Sequence, residues 1–259
     1  MIKKSITIFT LLICGFARAE FTCDLIPGQQ NHAPVVTKNG SVCFIEQPIL
    51  EKDGKPSGAE EVAVYFIPRG HSPVKAEGRG LINDGDGPGK IDDAFMLDVD
   101  HDGNDEIVVI QCVEPRTSEA KRSGKFCSVY VFNYKDMSLH LNERASEWFG
   151  YNYSWLSDDH KIIYKFPYLT QDAIRQALNS PFATLIIRAE VIPVIVKQKN
   201  YLHYYSDGDS QSKKYLIAGD KATVDKYTAG WCRVNYSGGK EPLQMWMMCD
   251  ALEVDKGKQ

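Results

Sequence analysis

The sequence predicts a mainly β chain, and three observations carry that expectation. Hydrophobic residues recur mostly with a two-residue period, in short runs ended by Gly, Pro, Asp and Asn. One segment alone reads as a helix. Six cysteines remain once an N-terminal leader is set aside, an even number that suits a disulfide-bonded exported protein.

The leader is read over residues 1–19. Lys3 and Lys4 precede the apolar run from Ile6 to Phe16, and Ala17-Arg18-Ala19 forms a small-x-small cleavage site, so the mature chain is expected to start at Glu20. The apolar run is far short of the roughly 20 residues that a hydrocarbon core requires. No cysteine stands at the first mature position to take a lipid, and no later stretch approaches a membrane span. A periplasmic or secreted, soluble protein is expected.

Cleavage removes Lys3, Lys4 and Arg18, which takes the basic side chains from 30 to 27 against 34 acidic ones, a net charge of −7. That balance excludes nucleic acid and anionic membrane surfaces as expected partners, because both are held mainly by excess Lys and Arg. Cys14 leaves with the leader, and Cys23, Cys43, Cys112, Cys127, Cys232 and Cys249 remain. Six cysteines admit fifteen pairings. They fall into three local couples, so the expected bridges are Cys23 with Cys43, Cys112 with Cys127, and Cys232 with Cys249. No CxxC and no paired His at ligand spacing favours a zinc site instead.

Strands are expected over Glu61 to Pro68, Ala94 to Asp98, Glu106 to Val113, Phe126 to Tyr134, Lys161 to Phe166, Ala183 to Val196 and Lys214 to Val224. Thr170 caps a short helix from about Gln171 to Asn179, with Ala173, Ile174, Ala177 and Leu178 on one face and Ser180-Pro181 at its end. The character of the sequence changes there, so a β-rich domain over 20–179 and a second over 188–254 are expected.

The sharpest motif is Asp98-Val99-Asp100-His101-Asp102-Gly103-Asn104-Asp105-Glu106. Calcium takes oxygen ligands, and a tight loop offers them from its first, third, fifth, seventh and ninth positions while Gly at the sixth permits the turn. Those positions are Asp98, Asp100, Asp102, the carbonyl of Asn104, and Glu106. Clustered carboxylates repel one another unless a cation sits among them. The twelfth position is Val109 rather than Glu, and the flanks read as strands, so this is no helix-loop-helix site. The pattern resembles the calcium loops of FG-GAP-type repeats in integrin-like propellers, and the likeness covers about ten residues. It implies a structural Ca2+ ligated by Asp98, Asp100, Asp102, Asn104 and Glu106, without implying a propeller, since the repetition such folds need is missing. The alternative is a solvated acidic turn. Upstream, the stretch from Asp84 to Asp92 has Asp at the first, third and ninth positions but Pro88 at the fifth; it reads as a Gly-rich turn more readily than as a second loop.

From Val191 onward the chain reads as small strands. Leu216-Ile217-Ala218-Gly219-Asp220-Lys221, then Trp231 with alternating Val234 and Tyr236, then Trp246 followed by Asp250-Ala251-Leu252, resemble in order the bacterial SH3-like domain, a small β-barrel. Met245 before Trp246 departs from that pattern. The resemblance implies binding rather than catalysis, with a protein or peptidoglycan-peptide ligand. Tyr201, Tyr204, Tyr205 and Tyr227 are the candidate ligand-binding residues on the rim, and Trp231 and Trp246 are expected in the interior.

The six histidines are scattered, and none stands in an HExxH, GxSxG or redox CxxC setting, so no catalytic residue is assigned and the chain is not expected to be an enzyme. The expected function is that of an exported, non-catalytic binding protein. A periplasmic immunity or inhibitor protein against a toxin or wall hydrolase is the alternative.

Overall fold

A computed structural model describes residues 22–77, 81, 89–114, 123–239 and 241–257. The leader over residues 1–19 and most of the loop from Asp84 to Asp92 lie outside them. The chain is mainly β, with 53% strand and 12% helix, so strand pairing sets the architecture.

The first sheet is antiparallel, in the order β1 (Gln29–Val36), β2 (Gly40–Leu50), β3 (Pro56–Pro68) and β4 (Val74–Lys75). The second has five strands: β5 (Lys90–Leu97), β6 (Glu106–Val113), β7 (Phe126–Lys135) and β8 (Ser138–Leu141) in order, with β9 (Tyr151–Tyr153) also paired to β7. All eight residues of β6 are buried. Because side chains alternate across a strand, the two faces of β6 feed two different cores. Val108, Ile110 and Cys112 join one, while Ile107 and Val109 join the other. β7 divides in the same way, with Val129 and Val131 on one side and Tyr130 and Phe132 on the other. The second sheet is therefore a middle layer. On one face it packs against Val42, Phe44, Val62, Val64 and Phe66 of the first sheet. Each such side chain contributes about 1.5–3 kcal/mol when fully removed from water.

The other face of the middle sheet meets a larger core. It receives helix α1 (Glu143–Phe149) through Ala145, Trp148 and Phe149, and the hairpin of β10 (Trp155–Asp158) and β11 (Lys161–Lys165) through Leu156 and Tyr164. Helix α2 (Gln171–Ala177) adds Ile174. Its start matches the sequence reading, since the Thr170 Oγ1 accepts from the Ala173 N–H at 3.2 Å. The strand expected over Ala183 to Val196 differs in its first half. Ser180 Oγ accepts from the Phe182 N–H at 3.2 Å, with Pro181 following, and these caps start a short helical turn that leads into α3 (Thr184–Ile187). Strand β12 begins only at Ile192 and runs over Ile192–Val196.

The C-terminal strands are β13 (Asn200–His203), β14 (Gln211–Leu216), β15 (Lys221–Thr228), β16 (Trp231–Tyr236), β17 (Leu243–Met248) and β18 (Leu252–Val254). With β12 they form one seven-stranded sheet in the order β14-β13-β17-β16-β15-β12-β18, antiparallel throughout. This corrects the expectation of a small barrel. β18 pairs with β12 at one edge and β14 with β13 at the other, and no pairing between the two edges closes the sheet among the described residues. The core beneath it is continuous with that of the middle sheet. Phe95, Val129 and Ile174 from before Asn179 share it with Val194, Trp231 and Leu252 from after Arg188.

The three disulfides are those of the local couples. Cys112 and Cys127 stand directly opposite in the β6–β7 ladder. Cys23–Cys43 ties the first turn to β2, and Cys232–Cys249 ties β16 to the turn that follows β17. Each closes a loop of 15 to 20 residues, and so removes conformational freedom mainly from the unfolded chain.

Candidate functional site

The acidic motif forms the turn between β5 and β6, at one end of the middle sheet. Its backbone folds around its own carboxylates. Asp98 Oδ1 accepts from the Asp102 N–H at 3.1 Å and Asp98 Oδ2 from the Gly103 N–H at 3.0 Å, while Asp100 Oδ1 also accepts from Asp102 at 3.2 Å. His101 and Gly103 take positive φ values of 59° and 88°, which lets the chain reverse tightly enough for these contacts.

Carboxylate oxygens of Asp98, Asp100 and Glu106 all lie within 4.8 Å of one another. Two oxygens bound to one calcium ion at 2.3–2.6 Å are separated by at most about 4.6–5.2 Å, so the trio has the spacing and the hard-oxygen chemistry that calcium takes. Glu106 is 4% exposed, and its Oε2 accepts from the Val99 N–H at 2.8 Å. Burial pushes its carboxyl up to about 7, the Val99 N–H opposes the rise, and the charges of Asp100, Asp102 and Asp98 add to it. A cation among these groups reverses that penalty by supplying the missing opposite charge. Asp102, another expected ligand, is not one of the three carboxylates gathered there. Asp102 Oδ1 accepts from both the backbone N–H and the side-chain amide of Asn104, at 2.7 and 3.1 Å. Glu106 is also among the residues around a cleft of about 310 Å³ walled by Phe66, Met96 and Tyr134.

The tyrosines expected on the rim separate into two groups. Tyr201, Tyr204 and Tyr205 are exposed. Tyr201 faces Tyr215 across β13 and β14, and the Lys199 ammonium lies over both rings. Tyr227 is not on the rim. It stacks on Trp148 with ring centroids 4.3 Å apart, lies against Phe182, and shares a hydrogen bond with the Tyr168 hydroxyl. Burial pushes its phenol up to about 12. The cause is a β-bulge between Val224 and Lys226, which reverses the alternation along β15 and turns Tyr227 inward with Ala229. Trp231 fills the interior as expected, 2% exposed, between Tyr164 and the ring of His203. Trp246 does not. Met245 and Met247 occupy the inward positions of β17, so Trp246 lies half-buried on the opposite face.

The described histidines have separate settings. His32 packs edge-on against Phe44, His140 Nδ1 lies 3.3 Å from Glu77, and His203 is buried against Trp231, with burial holding its imidazole pKa below the ordinary value. No protein-family model, curated protein or solved structure matches the chain. No helix among the described residues is long and apolar enough to cross a membrane.

Proposed function

We propose that the chain is an exported, non-catalytic binding protein of the periplasm or the extracellular space. Its β-rich body is stabilised by a structural Ca2+ in the Asp98–Glu106 turn. Its C-terminal strands serve as an SH3-like module for a protein or cell-wall ligand. The observation that carries this reading is the convergence of Asp98, Asp100 and Glu106 oxygens within 4.8 Å in a turn whose order of residues resembles FG-GAP-type calcium loops. Three disulfides support export, because such bridges persist in oxidising compartments. The separate settings of the histidines, and the engagement of all six described cysteines in bridges, support binding over catalysis. The resemblance of the C-terminal segment rests on Leu216 to Lys221, Trp231 to Tyr236, and Trp246 with Asp250 to Leu252, and exposed Tyr201, Tyr204 and Tyr205 offer contact surface there.

The test is recovery of a partner from periplasmic extract on the immobilised mature chain, in calcium and again in chelator. A partner retained in calcium and released with unfolding of the bait in chelator is the expected result. A bait whose stability and capture ignore calcium would remove the metal from the reading, and a bait that captures nothing under either condition would remove the binding function.

A further inference from the structure

A cleft of about 620 Å³ runs between the middle sheet and the C-terminal sheet, within the range of pockets that enclose small organic ligands. One wall carries Phe126 from β7 with Tyr151 and Tyr153 from β9, whose rings lie 5.6 and 5.3 Å from that of Phe126. The other carries Tyr205 and Trp246. Tyr151 is 65% and Tyr205 69% exposed, so large aromatic faces stand in solvent on both sides of one opening. Scattered apolar side chains at a surface need no explanation, but aromatic faces gathered on the walls of one cleft do.

The polar groups of the cleft decide what fits it. Glu147 and Lys226 pair with each other at 3.3 Å, which leaves Asp207 as the remaining formal charge of the lining. A lining so close to neutral has no Coulombic hold on a phosphate or a nucleic acid. Glu147 Oε2 accepts from Lys226 Nζ at 3.3 Å and Asp207 Oδ1 from the Asp209 and Ser210 N–H groups at 3.1 and 2.8 Å; as acceptor-only groups with further lone pairs, both carboxylates favour a ligand rich in donors. A proline-rich peptide meets aromatic grooves well but brings few N–H groups. A sugar ring presents flat C–H faces to aromatic rings and hydroxyl donors at its rim, which matches both features at once.

We propose that this cleft binds a neutral oligosaccharide, with Tyr151 and Tyr205 stacking on sugar rings from opposite walls. The inference rests on the reading of the chain as a binding protein and is independent of the calcium assignment. It moves the contact surface from one sheet to the junction of two, and retains only Tyr205 of the rim tyrosines. The test is calorimetric titration of the full mature chain with an N-acetylglucosamine hexamer, maltohexaose and a proline-rich decapeptide. At least one saccharide is expected to bind, with affinity lowered about tenfold or more in Tyr151→Ala and in Tyr205→Ala. Leu50→Ala, at the exposed end of β2 in the first sheet and away from the cleft, serves as the control that leaves it unchanged, and the melting temperatures of all three variants should match the parent. Absence of saccharide binding up to about 1 mM, binding untouched by both cleft variants, or binding of the decapeptide alone would overturn the inference. If the saccharides fail while a protein partner is still recovered from extract, the binding function stands and the ligand class falls.

Discussion

Replacing Glu106 by Gln should change stability in opposite directions depending on calcium. Glu106 is buried, and its carboxyl is raised from 4.5 to about 7. At about 1.36 kcal/mol per unit of pKa, holding it ionised in the metal-free fold costs on the order of 3 kcal/mol. The sign follows from proton counts: between about 4.5 and 7 Glu106 binds more protons in the folded chain than in the unfolded chain, so its contribution to stability falls as pH rises through that window. Glutamine keeps an oxygen to accept from the Val99 N–H and has no charge to lose. In chelator at pH 8 the variant should therefore be more stable than the parent by about 2–3 kcal/mol, and in calcium it should lose most of the stabilisation that the parent gains. Urea melts of both proteins, with calcium and with chelator, measure the four stabilities. A variant less stable than the parent in chelator would refute the electrostatic argument. An equal calcium response in both would refute the place of Glu106 among the ligands.

Trp231→Ala should lower stability by about 3–5 kcal/mol, as deletion of a large buried aromatic does, whereas Tyr205→Ala should stay within about 0.5 kcal/mol; denaturant midpoints at constant slope distinguish the two. Joint replacement of Cys232 and Cys249 by Ala frees a loop of 17 residues and should cost about 3 kcal/mol, seen as a lower melting temperature that reducing agent no longer depresses to the same extent. His203 is 8% exposed with its pKa lowered chiefly by burial, so the unfolded chain takes up a proton at higher pH than the folded one does. The contribution of His203 to stability should fall as pH drops below the ordinary histidine value of about 6.5, opposite in sign to that of metal-free Glu106. His203→Phe should flatten that part of the pH profile, and an unchanged slope would assign it to other groups.

Much of the fold was legible in the residues. Strand β6 coincides with its expected span because a run from Ile107 to Val113, apolar but for Gln111 and bounded by an acidic turn, has no other good home. The Thr170 cap and the three disulfides followed from side-chain chemistry and proximity along the chain. Other elements were hidden for identifiable reasons. Helix α1 escaped the periodicity reading although Asn142 caps it and Ala145, Trp148 and Phe149 have the spacing of one face; seven residues give too short a repeat to stand out among strands. Tyr227 was misplaced because a bulge reverses alternation without leaving a mark in composition. Trp246 was misplaced because the inward positions of β17 went to Met245 and Met247, a choice of register that the sequence of one strand does not reveal. The oligosaccharide cleft was illegible for a further reason: Tyr151 and Tyr205 lie more than fifty positions apart and meet only through the packing of two sheets.

The central claim is most directly tested by thermal unfolding of the mature chain in chelator, in millimolar calcium and in equal magnesium. A ligand at a hundredfold excess over its Kd stabilises the native state by about 2.7 kcal/mol, or about 5–10 °C for a chain of this size. The account predicts a calcium-dependent rise on that scale, reversed by chelator and much smaller with magnesium, whose octahedral demand this mixed set of carboxylates does not meet. Superimposable melting curves in chelator and calcium would contradict it.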